Sequence, residues 1–267
     1  MCIGVVVNRK YERYIPYFIF FVLKAYPNYT VKIFVTDTLS ADIKKIISKL
    51  EGLGNVVIEE NFFKGLPISN QELKTYRWLI PQSYFKDYEY VYIGDADMMI
   101  CKETPGILEQ HINHMEKNNL PYSNCVRPNT KRLTGLHFFK VKEYYNVMGK
   151  TIEKYTQKLK KRKLGLQNGK VRNEEILYRM IKESGLSLPQ KEYRIDINGS
   201  GPHHGLHLGI WRGYKNNVKP AVKKQILKDN YNNHYQYYQI VEKDNIFKEI
   251  KKIYPLGELK YMEKFFK

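Results

Sequence analysis

Two carboxylates stand two positions apart in "YVYIGDADMMI" (90–100), where an apolar run ends. Side chains alternate along a β-strand, so a strand through this segment would place Asp95 and Asp97 on the same side. Carboxylate oxygens are the ligands of hard divalent cations such as Mg²⁺ and Mn²⁺, which leave positions for water and substrate phosphates. The alternative is an acidic turn after a strand, because a bare Asp-x-Asp tripeptide is common by chance.

The segment "NGSGPHHGLHLGIWR" (198–212) contains three histidines within five positions, flanked by glycines. Glycine permits sharp bends, and imidazole can bind a metal or a phosphate. His203, His204 and His207 could together hold zinc. The segment has neither a cysteine nor a His-Glu-x-x-His helix, so a single histidine that completes the carboxylate site is the more economical interpretation. The alternative is a glycine-rich surface loop.

Strand and helix patterns alternate through the first half of the chain, which is typical of parallel strands covered by helices. Open sheets of this kind bind ligands at the carboxyl ends of their strands. The predicted fold class is therefore α/β, with a mostly parallel central sheet flanked by helices and with Asp95 and Asp97 at its ligand-binding edge. The predicted strands are 2–8, 31–37, 55–62 and 88–100, and the predicted helices are 15–27, 40–54 and 70–85, the last helical up to Pro81.

The second half is less regular, and it contains no internal repeat. A mobile basic loop is expected at 160–172, and from Ala221 onward the pattern is helical and basic. We divide the chain into a main domain, 1–220, and a basic helical C-terminal extension, 221–267. The other predicted elements are strands in 120–126 and 133–141 and helices in 142–161 and 173–184.

Charge and cysteine content narrow the class of protein. Lys and Arg total 45 against 27 for Asp and Glu, a formal charge of +18, which favours partners such as nucleic acid, anionic lipid or a phosphorylated substrate. Three cysteines without metal-site spacing fit a reducing compartment. The apolar segment 15–27 is too short to span a bilayer and lacks a cleavage site, so we expect a cytoplasmic protein.

Four motifs follow one another along the chain: a helix and Asp-x-Asp strand in 73–100, "LTGLHFFKV" (133–141), "NEEILYRM" (173–180) and "HLGIWR" (207–212). In this order they resemble the motifs of family-8-type glycosyltransferases of the GT-A fold, a nucleotide-sugar-binding fold. The resemblance covers roughly residues 1–212. The family's pattern is altered at several positions, which indicates a divergent member or a separate GT-A family. The departures are the extra Gly94, Thr134 for Ser, the three residues Asn173, Glu174 and Glu175 for Asp, Gln and Asp, a shorter gap after His207, and Arg212 for Lys.

The resemblance implies transfer of a sugar from a nucleotide diphosphate sugar, with UDP as the expected nucleotide, to a glycan or lipid-linked acceptor. Mn²⁺ or Mg²⁺ would neutralise the leaving diphosphate. Asp95 would face the ribose and the metal, Asp97 would be the main metal ligand, and His207 or His204 would complete the shell. The implied donor-binding residues are Val7, Asn8 and Tyr11 for the base, with Arg77, Asp95, Thr134, Gly135 and Arg212.

Several of these roles have plain structural alternatives. Arg77 could brace Asp95, touch the diphosphate or form a surface salt bridge, and Tyr11 could be ordinary packing. Glu174 occupies the position near the anomeric carbon in the resembled family, which makes it the candidate for stabilising an oxocarbenium-like transition state, with Glu175 as its rival. The basic tail could lie on the inner face of an anionic membrane as a peripheral contact, or it could be a solvated face that closes the domain.

Three other classes of protein compete with a transferase. A nucleic-acid-binding protein would suit the charge, but no zinc-finger spacing, aromatic RNA-binding strand or helix-turn-helix is present, so no nucleic-acid partner is expected. A nucleotidyltransferase should carry a glycine-rich phosphate loop after the first strand, and "VVVNRKYERY" (5–14) has no glycine. An inactive protein that only binds nucleotide sugars would keep the same motifs.

Overall fold

A six-stranded sheet forms the centre of the protein in a computed structural model, which describes residues 1–67, 69–166, 171–189, 205–215 and 221–267. Its strand order is β3-β2-β1-β4-β7-β6. The first four strands run parallel, whereas β7 is antiparallel to both β4 and β6. The predicted mostly parallel sheet is confirmed. The bounds are β1 Cys2–Val7, β2 Thr30–Val35, β3 Asn55–Glu59, β4 Tyr90–Gly94, β5 Met98–Met99, β6 Tyr122–Ser123, β7 His137–Lys140 and β8 Leu206–His207.

Alternate side chains of the strands enter two separate cores, because successive residues of a strand face opposite sides of the sheet. Ile3, Val5 and Val7 of β1 pack with α1, α2 and the C-terminal helices, whereas Cys2 packs with α3, α5 and α6 on the other face. The sheet therefore lies between two helical layers. The helices are α1 Ile15–Ala25, α2 Ala41–Leu50, α3 Asn70–Thr75, α4 Ile107–Asn118, α5 Val141–Lys160, α6 Asn173–Ser184, α7 Ala221–Val241, α8 Asn245–Ile253 and α9 Gly257–Phe266.

The strands expected at 120–126 and 133–141 are shorter than predicted, Tyr122–Ser123 and His137–Lys140. Two further elements differ from the expectations around the carboxylates. The strand predicted through 88–100 ends at Gly94, so Asp95 and Asp97 lie in a turn between β4 and β5. The helix expected up to Pro81 is α-helical only to Thr75 and continues as a short 3-10 helix, Tyr76–Trp78. Tyr76 is fully buried and Arg77 nearly so, and this turn therefore carries both side chains into the protein interior.

The C-terminal helices share one core with the sheet. Phe247 and Ile250 of α8 are fully buried, and the Phe247 ring lies 5.1 Å from Phe20 and 5.7 Å from Tyr17 of α1. These two apolar residues of the tail are therefore not available to a membrane, although Ile253 is 44% exposed. The division at 220/221 stays a prediction. Among the described helices, none combines the length and hydropathy needed to cross a bilayer.

We expect Phe247→Ala to destabilise the whole protein by about 3–5 kcal/mol, because it removes a buried ring from the shared core. Trp78 lies in the core on the other face of the sheet, whereas Trp211 packs on Phe265 of α9. In a Trp211→Phe background, Trp78 fluorescence therefore reports on the main domain during urea unfolding. The matched control is Ile253→Ala on the same helix, which should change the free energy of unfolding by less than about 0.5 kcal/mol. If Phe247→Ala leaves the urea midpoint measured by this fluorescence unchanged, residues 221–267 unfold separately from the main domain.

Candidate active site

A cavity of about 820 Å³ opens at the carboxyl ends of β1 and β4, at the edge expected for ligands in a sheet of this type. It gathers residues from seven parts of the chain that are far apart in sequence. Of the residues predicted for the site, those that line it are Val7, Asn8, Tyr11, Arg77, Asp95, Asp97, Thr134, Gly135, Glu174, His207 and Arg212. Glu175 does not line the cavity, and His204 lies outside the described residues.

Asp95 is held by a buried arginine. The Arg77 guanidinium donates to Asp95 Oδ1 through Nη1 at 2.7 Å and to Asn173 Oδ1 through Nη2 at 3.0 Å. Burial by itself would raise the pKa of Asp95, but the charge of Arg77, and that of His207 when its ring is protonated, outweigh it, so this pKa lies below its usual range. Asp95 is therefore a carboxylate at neutral pH, and its Oδ2 remains free of hydrogen bonds within the described part of the chain.

The Arg77–Asp95 pair has room because residue 135 is glycine. A Cβ at this position would lie 3.1 Å from both Arg77 Nη2 and Asp95 Oδ2. The neighbouring Thr134 donates its backbone N–H to Asn124 Oδ1 at 2.9 Å, while the Asn124 amide donates to His137 Nδ1 at 3.1 Å. The loop before β7 is thus fixed by buried hydrogen bonds, and it presents its backbone to the carboxylate.

Asp97 belongs to a second charge cluster that reaches the C-terminal helix. Arg212 donates to Asp97 Oδ2 through Nη2 at 2.6 Å and to Glu258 Oε1 through Nε at 2.8 Å. The Tyr14 hydroxyl donates to the same Glu258 oxygen at 2.5 Å. Asp97 and Glu258 are 4% and 5% exposed, so Arg212 balances two buried carboxylates. Arg212, predicted to contact the departing phosphates, is therefore already engaged by the protein.

Backbone pairing brings His207 to the carboxylates. The two-stranded sheet of β5 and β8 places His207 opposite Met98, and Leu208 N–H donates to Asp97 O at 2.8 Å. His207 Nε2 consequently lies 3.9 Å from Asp95 Oδ2 and 3.6 Å from Asp97 Oδ1. Each aspartate thus uses one oxygen for an arginine and turns the other oxygen toward the same imidazole.

The two aspartates fit a hard cation, whereas His207 fits less well. Their free oxygens are the donors that Mg²⁺ or Mn²⁺ takes, and such cations complete their shells with water and phosphate. His207 Nδ1 accepts a hydrogen bond from Gly209 N–H at 2.9 Å, so the neutral ring carries its proton on Nε2, the atom facing the carboxylates. The described residues hold no group of three or more His, Cys, Asp or Glu side chains arranged to bind a metal ion.

Glu174 and Glu175 separate at the start of α6. Glu174 faces the cavity, where its Oε1 lies 3.6 Å from Arg127 Nη2. Glu175 pairs with Arg179 one turn further along the helix. Of the two candidates for the carboxylate near the reacting sugar, only Glu174 has access to the cavity.

The end of β1 forms the side of the cavity predicted for the base. Asn8 caps the short 3-10 helix Arg9–Tyr14, since its Oδ1 accepts from Tyr11 N–H at 3.3 Å. The Asn8 amide nitrogen has no acceptor among the described residues and remains for a ligand. The Arg212 guanidinium lies 5.5 Å from the centre of the Tyr11 ring, so one face of that ring is covered. Tyr11 therefore has a packing role beside any stacking role.

Sequence reasoning missed several charged or polar residues at the cavity. Asn173 was considered only as a departure from a motif, yet its 3%-exposed side chain anchors Arg77. Glu258 has no local signal, because it stands in an ordinary amphipathic helix start. The basic segment "RPNTKR" (127–132) was a visible signal, since two arginines so close to a glycine-containing strand start merit attention. The other missed cations lining the cavity are Lys10, Lys74, Arg127 and Arg132.

We expect Arg77→Lys to reduce both metal affinity and turnover about 10–100-fold, because one ammonium group cannot hold Asp95 and Asn173 in the way the planar guanidinium does. Mn²⁺ titration by calorimetry and kcat/KM for sugar transfer measure the two effects. Arg179→Lys, on the exposed face of α6, is the matched control and should change neither. Equal Mn²⁺ affinities of Arg77→Lys and the parent protein would contradict a role for Arg77 in metal binding.

No protein-family model matches the sequence, and no curated protein matches it either. Solved structures with a similar fold include the galactosyltransferase LgtC in complex with donor and acceptor sugar analogues, at a TM-score of 0.44 and 16% identity over 66% of this chain and 69% of that chain. A Desulfovibrio desulfuricans protein described as a nucleotide-diphospho-sugar transferase gives 0.42 and 13% over 88% and 97% of the two chains.

Core-mannan synthase A from Aspergillus fumigatus, in its Mn and GDP form, gives a TM-score of 0.44 and 9% identity over 76% of each chain. These structures are distant from this chain both in sequence and in superposition.

Proposed function

We propose that this protein is a metal-dependent glycosyltransferase that uses a nucleotide diphosphate sugar. The observation that carries the proposal is the pair of carboxylates at the strand ends, each neutralised on one oxygen by an arginine and free on the other. Such a pair can hold a divalent cation against a diphosphate without a large excess of negative charge. A cavity of about 820 Å³ beside the pair has room for a nucleotide sugar.

The proposed reaction breaks the bond between the anomeric carbon of the sugar and the β-phosphate oxygen. A hydroxyl oxygen of the acceptor forms the new bond to that carbon, its proton passes to the departing diphosphate, and the nucleoside diphosphate leaves. A cation held by Asp95 and Asp97 would supply positive charge to the leaving phosphates. Arg77 keeps Asp95 ionised and oriented, and Glu174 would face the positive charge that develops on the sugar ring.

The donor would place its base at the end of β1, beside Val7, Asn8 and Tyr11, and its diphosphate at the carboxylates. Lys10 and Lys74 also line the cavity and have no ion-pair partner among the described residues, so their charges are available to phosphate oxygens. UDP is the nucleotide we propose, with a glycan or lipid-linked acceptor. A cytoplasmic location, with peripheral contact between the basic C-terminal helices and an anionic membrane, belongs to the same proposal.

Thermal unfolding with a panel of UDP-, GDP- and TDP-sugars, with and without Mn²⁺, tests the proposal. A ligand at about a hundred times its dissociation constant should add roughly 2.7 kcal/mol to the free energy of unfolding. We expect a metal-dependent rise in Tm with one nucleotide family, and this rise should be absent in Asp97→Ala. With the same donor, an activity assay should then detect release of the free nucleoside diphosphate.

Two other outcomes would overturn the transferase proposal. A metal-dependent rise in Tm without any turnover would indicate a protein that only binds nucleotide sugars. No rise in Tm with any donor, together with salt-sensitive binding to nucleic acid, would indicate that the positive charge of +18 is used to bind a polyanion instead.

A further inference from the structure

A short basic hairpin, defined as residues 126–133, forms one wall of the cavity. It is closed by the β-bridge between Val126 and Leu133 and by the hydrogen bond from Arg127 N–H to Arg132 O at 2.8 Å. The N–H of Leu133 also donates to Glu174 O at 3.3 Å, which ties the hairpin to the first turn of α6. The hairpin is therefore fixed beside the carboxylate proposed to face the reacting sugar.

Two arginines of this basic hairpin face the cavity without adequate partners. Both Arg127 and Arg132 line the cavity and are half-buried. Within the described residues, the Arg127 guanidinium makes no hydrogen bond, and its nearest carboxylate oxygen, in Glu174, lies 3.6 Å away. Its Nε is shielded from solvent and has no acceptor. Arg132 has neither an ion pair nor a side-chain hydrogen bond in the same residues. Partly buried guanidinium donors normally find acceptors, so these two point to an anionic ligand.

The position of the basic hairpin separates it from the donor's phosphates. Along the edge of the sheet the order is β1, β4, β7 and β6, with neighbouring strands about 4.8 Å apart. The predicted base site is at the end of β1 and the carboxylate pair at the end of β4, whereas the hairpin joins β6 to β7 on the far side. Lys10 follows β1 and Lys74 acts electrostatically on Asp95, so both cations are available to a diphosphate bound at the carboxylates. The hairpin arginines lie beyond it, where an acceptor has to approach.

We infer that the basic hairpin binds the acceptor, and that this acceptor carries an anionic group, a phosphate or a carboxylate, next to the hydroxyl that receives the sugar. This inference rests on the proposed function and adds to it the chemical class of the second substrate. A planar guanidinium matches two oxygens of either anion, and a pair of arginines fixes the orientation of the acceptor as well as its affinity. The accepting hydroxyl would then lie near Glu174, on the side of the sugar that faces away from the base.

The test measures acceptor binding by NMR titration in the presence of UDP and Mn²⁺. Glucose, its monophosphate ester and glucuronate form one matched set, and galactose with its corresponding derivatives forms another. We expect at least one charged sugar to bind about tenfold or more tightly than its neutral parent, which is the difference that one charge-assisted hydrogen bond provides. The phosphate and carboxylate members of each set distinguish the two sources of charge. Added salt should reduce the preference.

Arg132→Gln and Arg127→Gln should each reduce the preference about tenfold. Lys142→Gln removes one exposed positive charge outside the cavity and is the matched control, which should keep the full preference. Equal binding of neutral and charged sugars by the parent protein, or a preference that survives both arginine variants, overturns the inference. Hydrolysis of a nucleotide sugar without acceptor is measured in parallel, so a failed inference with intact donor hydrolysis is distinguished from failure of the proposed function itself.

Discussion

Asp97→Asn is expected to reduce kcat/KM for sugar transfer by about 10²–10³ and to abolish the Mn²⁺-dependent rise in Tm with the donor. The substitution keeps the shape of the side chain but removes the negative charge that would hold the cation against the leaving diphosphate. Loss of one preorganised electrostatic contact to the transition state typically has this effect. Steady-state transfer rates over a range of Mn²⁺ concentrations measure it, because a weakened ligand should shift the metal dependence as well as the maximum rate.

The control for this variant is Asp87→Asn, an exposed aspartate in the turn before β4 and outside the cavity, which should leave transfer unchanged. His207→Asn provides a second comparison. Because the hydrogen bond from Gly209 keeps the His207 proton on Nε2, we expect this variant to retain more metal affinity than Asp97→Asn. Transfer by Asp97→Asn at the parent rate and with the parent Mn²⁺ dependence would contradict a metal role for the Asp-x-Asp turn.

Glu258→Gln is expected to lower both stability and transfer, although Glu258 does not line the main cavity. Glu258 is 5% exposed and shares Arg212 with Asp97, so its loss leaves Asp97 as the only carboxylate of the described residues on that guanidinium. Breaking a fully buried ion pair costs about 3–5 kcal/mol, and the 37% exposure of the Arg212 side chain reduces this to about 2 kcal/mol. Arg212 should then shift relative to Asp97, which would lower kcat/KM roughly tenfold.

The same substitution should change the response to acid. Burial would raise the pKa of Glu258, but the hydrogen bonds from Tyr14 and Arg212 outweigh it and hold this pKa below its usual range. A carboxyl group whose pKa is lower in the folded protein stabilises it above the unfolded pKa, about 4.3, and loses this contribution as the pH falls through the folded value. The Glu258→Gln variant should therefore lose less stability than the parent protein below about pH 4.

Glu263→Gln is the matched control on the same helix. Glu263 accepts a hydrogen bond from Lys251 at 2.6 Å and pairs with Tyr238, away from Arg212. Its replacement should lower the free energy of unfolding without lowering kcat/KM. Urea unfolding and transfer kinetics on both variants separate the two effects. If Glu258→Gln transfers sugar at the parent rate, the link between the C-terminal helix and Asp97 has no functional consequence.

Local patterns were sufficient for the central sheet and for one half of the site. Buried apolar runs separated by amphipathic helices predicted β1, β2, β3 and β4, since strand and helix periods are properties of neighbouring residues. The position of the Asp-x-Asp pair at a strand end followed from the same pattern. The physical reason given for that position was wrong, however. Alternation of side chains along a strand was expected to put Asp95 and Asp97 on one side, but both lie in a turn after Gly94, where the strand has ended.

The sequence by itself determined the α/β class, the edge of the sheet at which chemistry is possible, and the carboxylates that stand there. Only the tertiary structure decided which charges meet: Tyr14 and Glu258 are separated by 244 positions, and Asp97 and Arg212 by 115. In the sequence, Glu258 has the pattern of a solvated helix residue, whereas in the structure α9 packs beside Tyr14. His207 reaches the carboxylates because β8 pairs with β5. Periodicity records which face of an element is apolar, but not which other element covers it, and long-range ion pairs depend on that second choice.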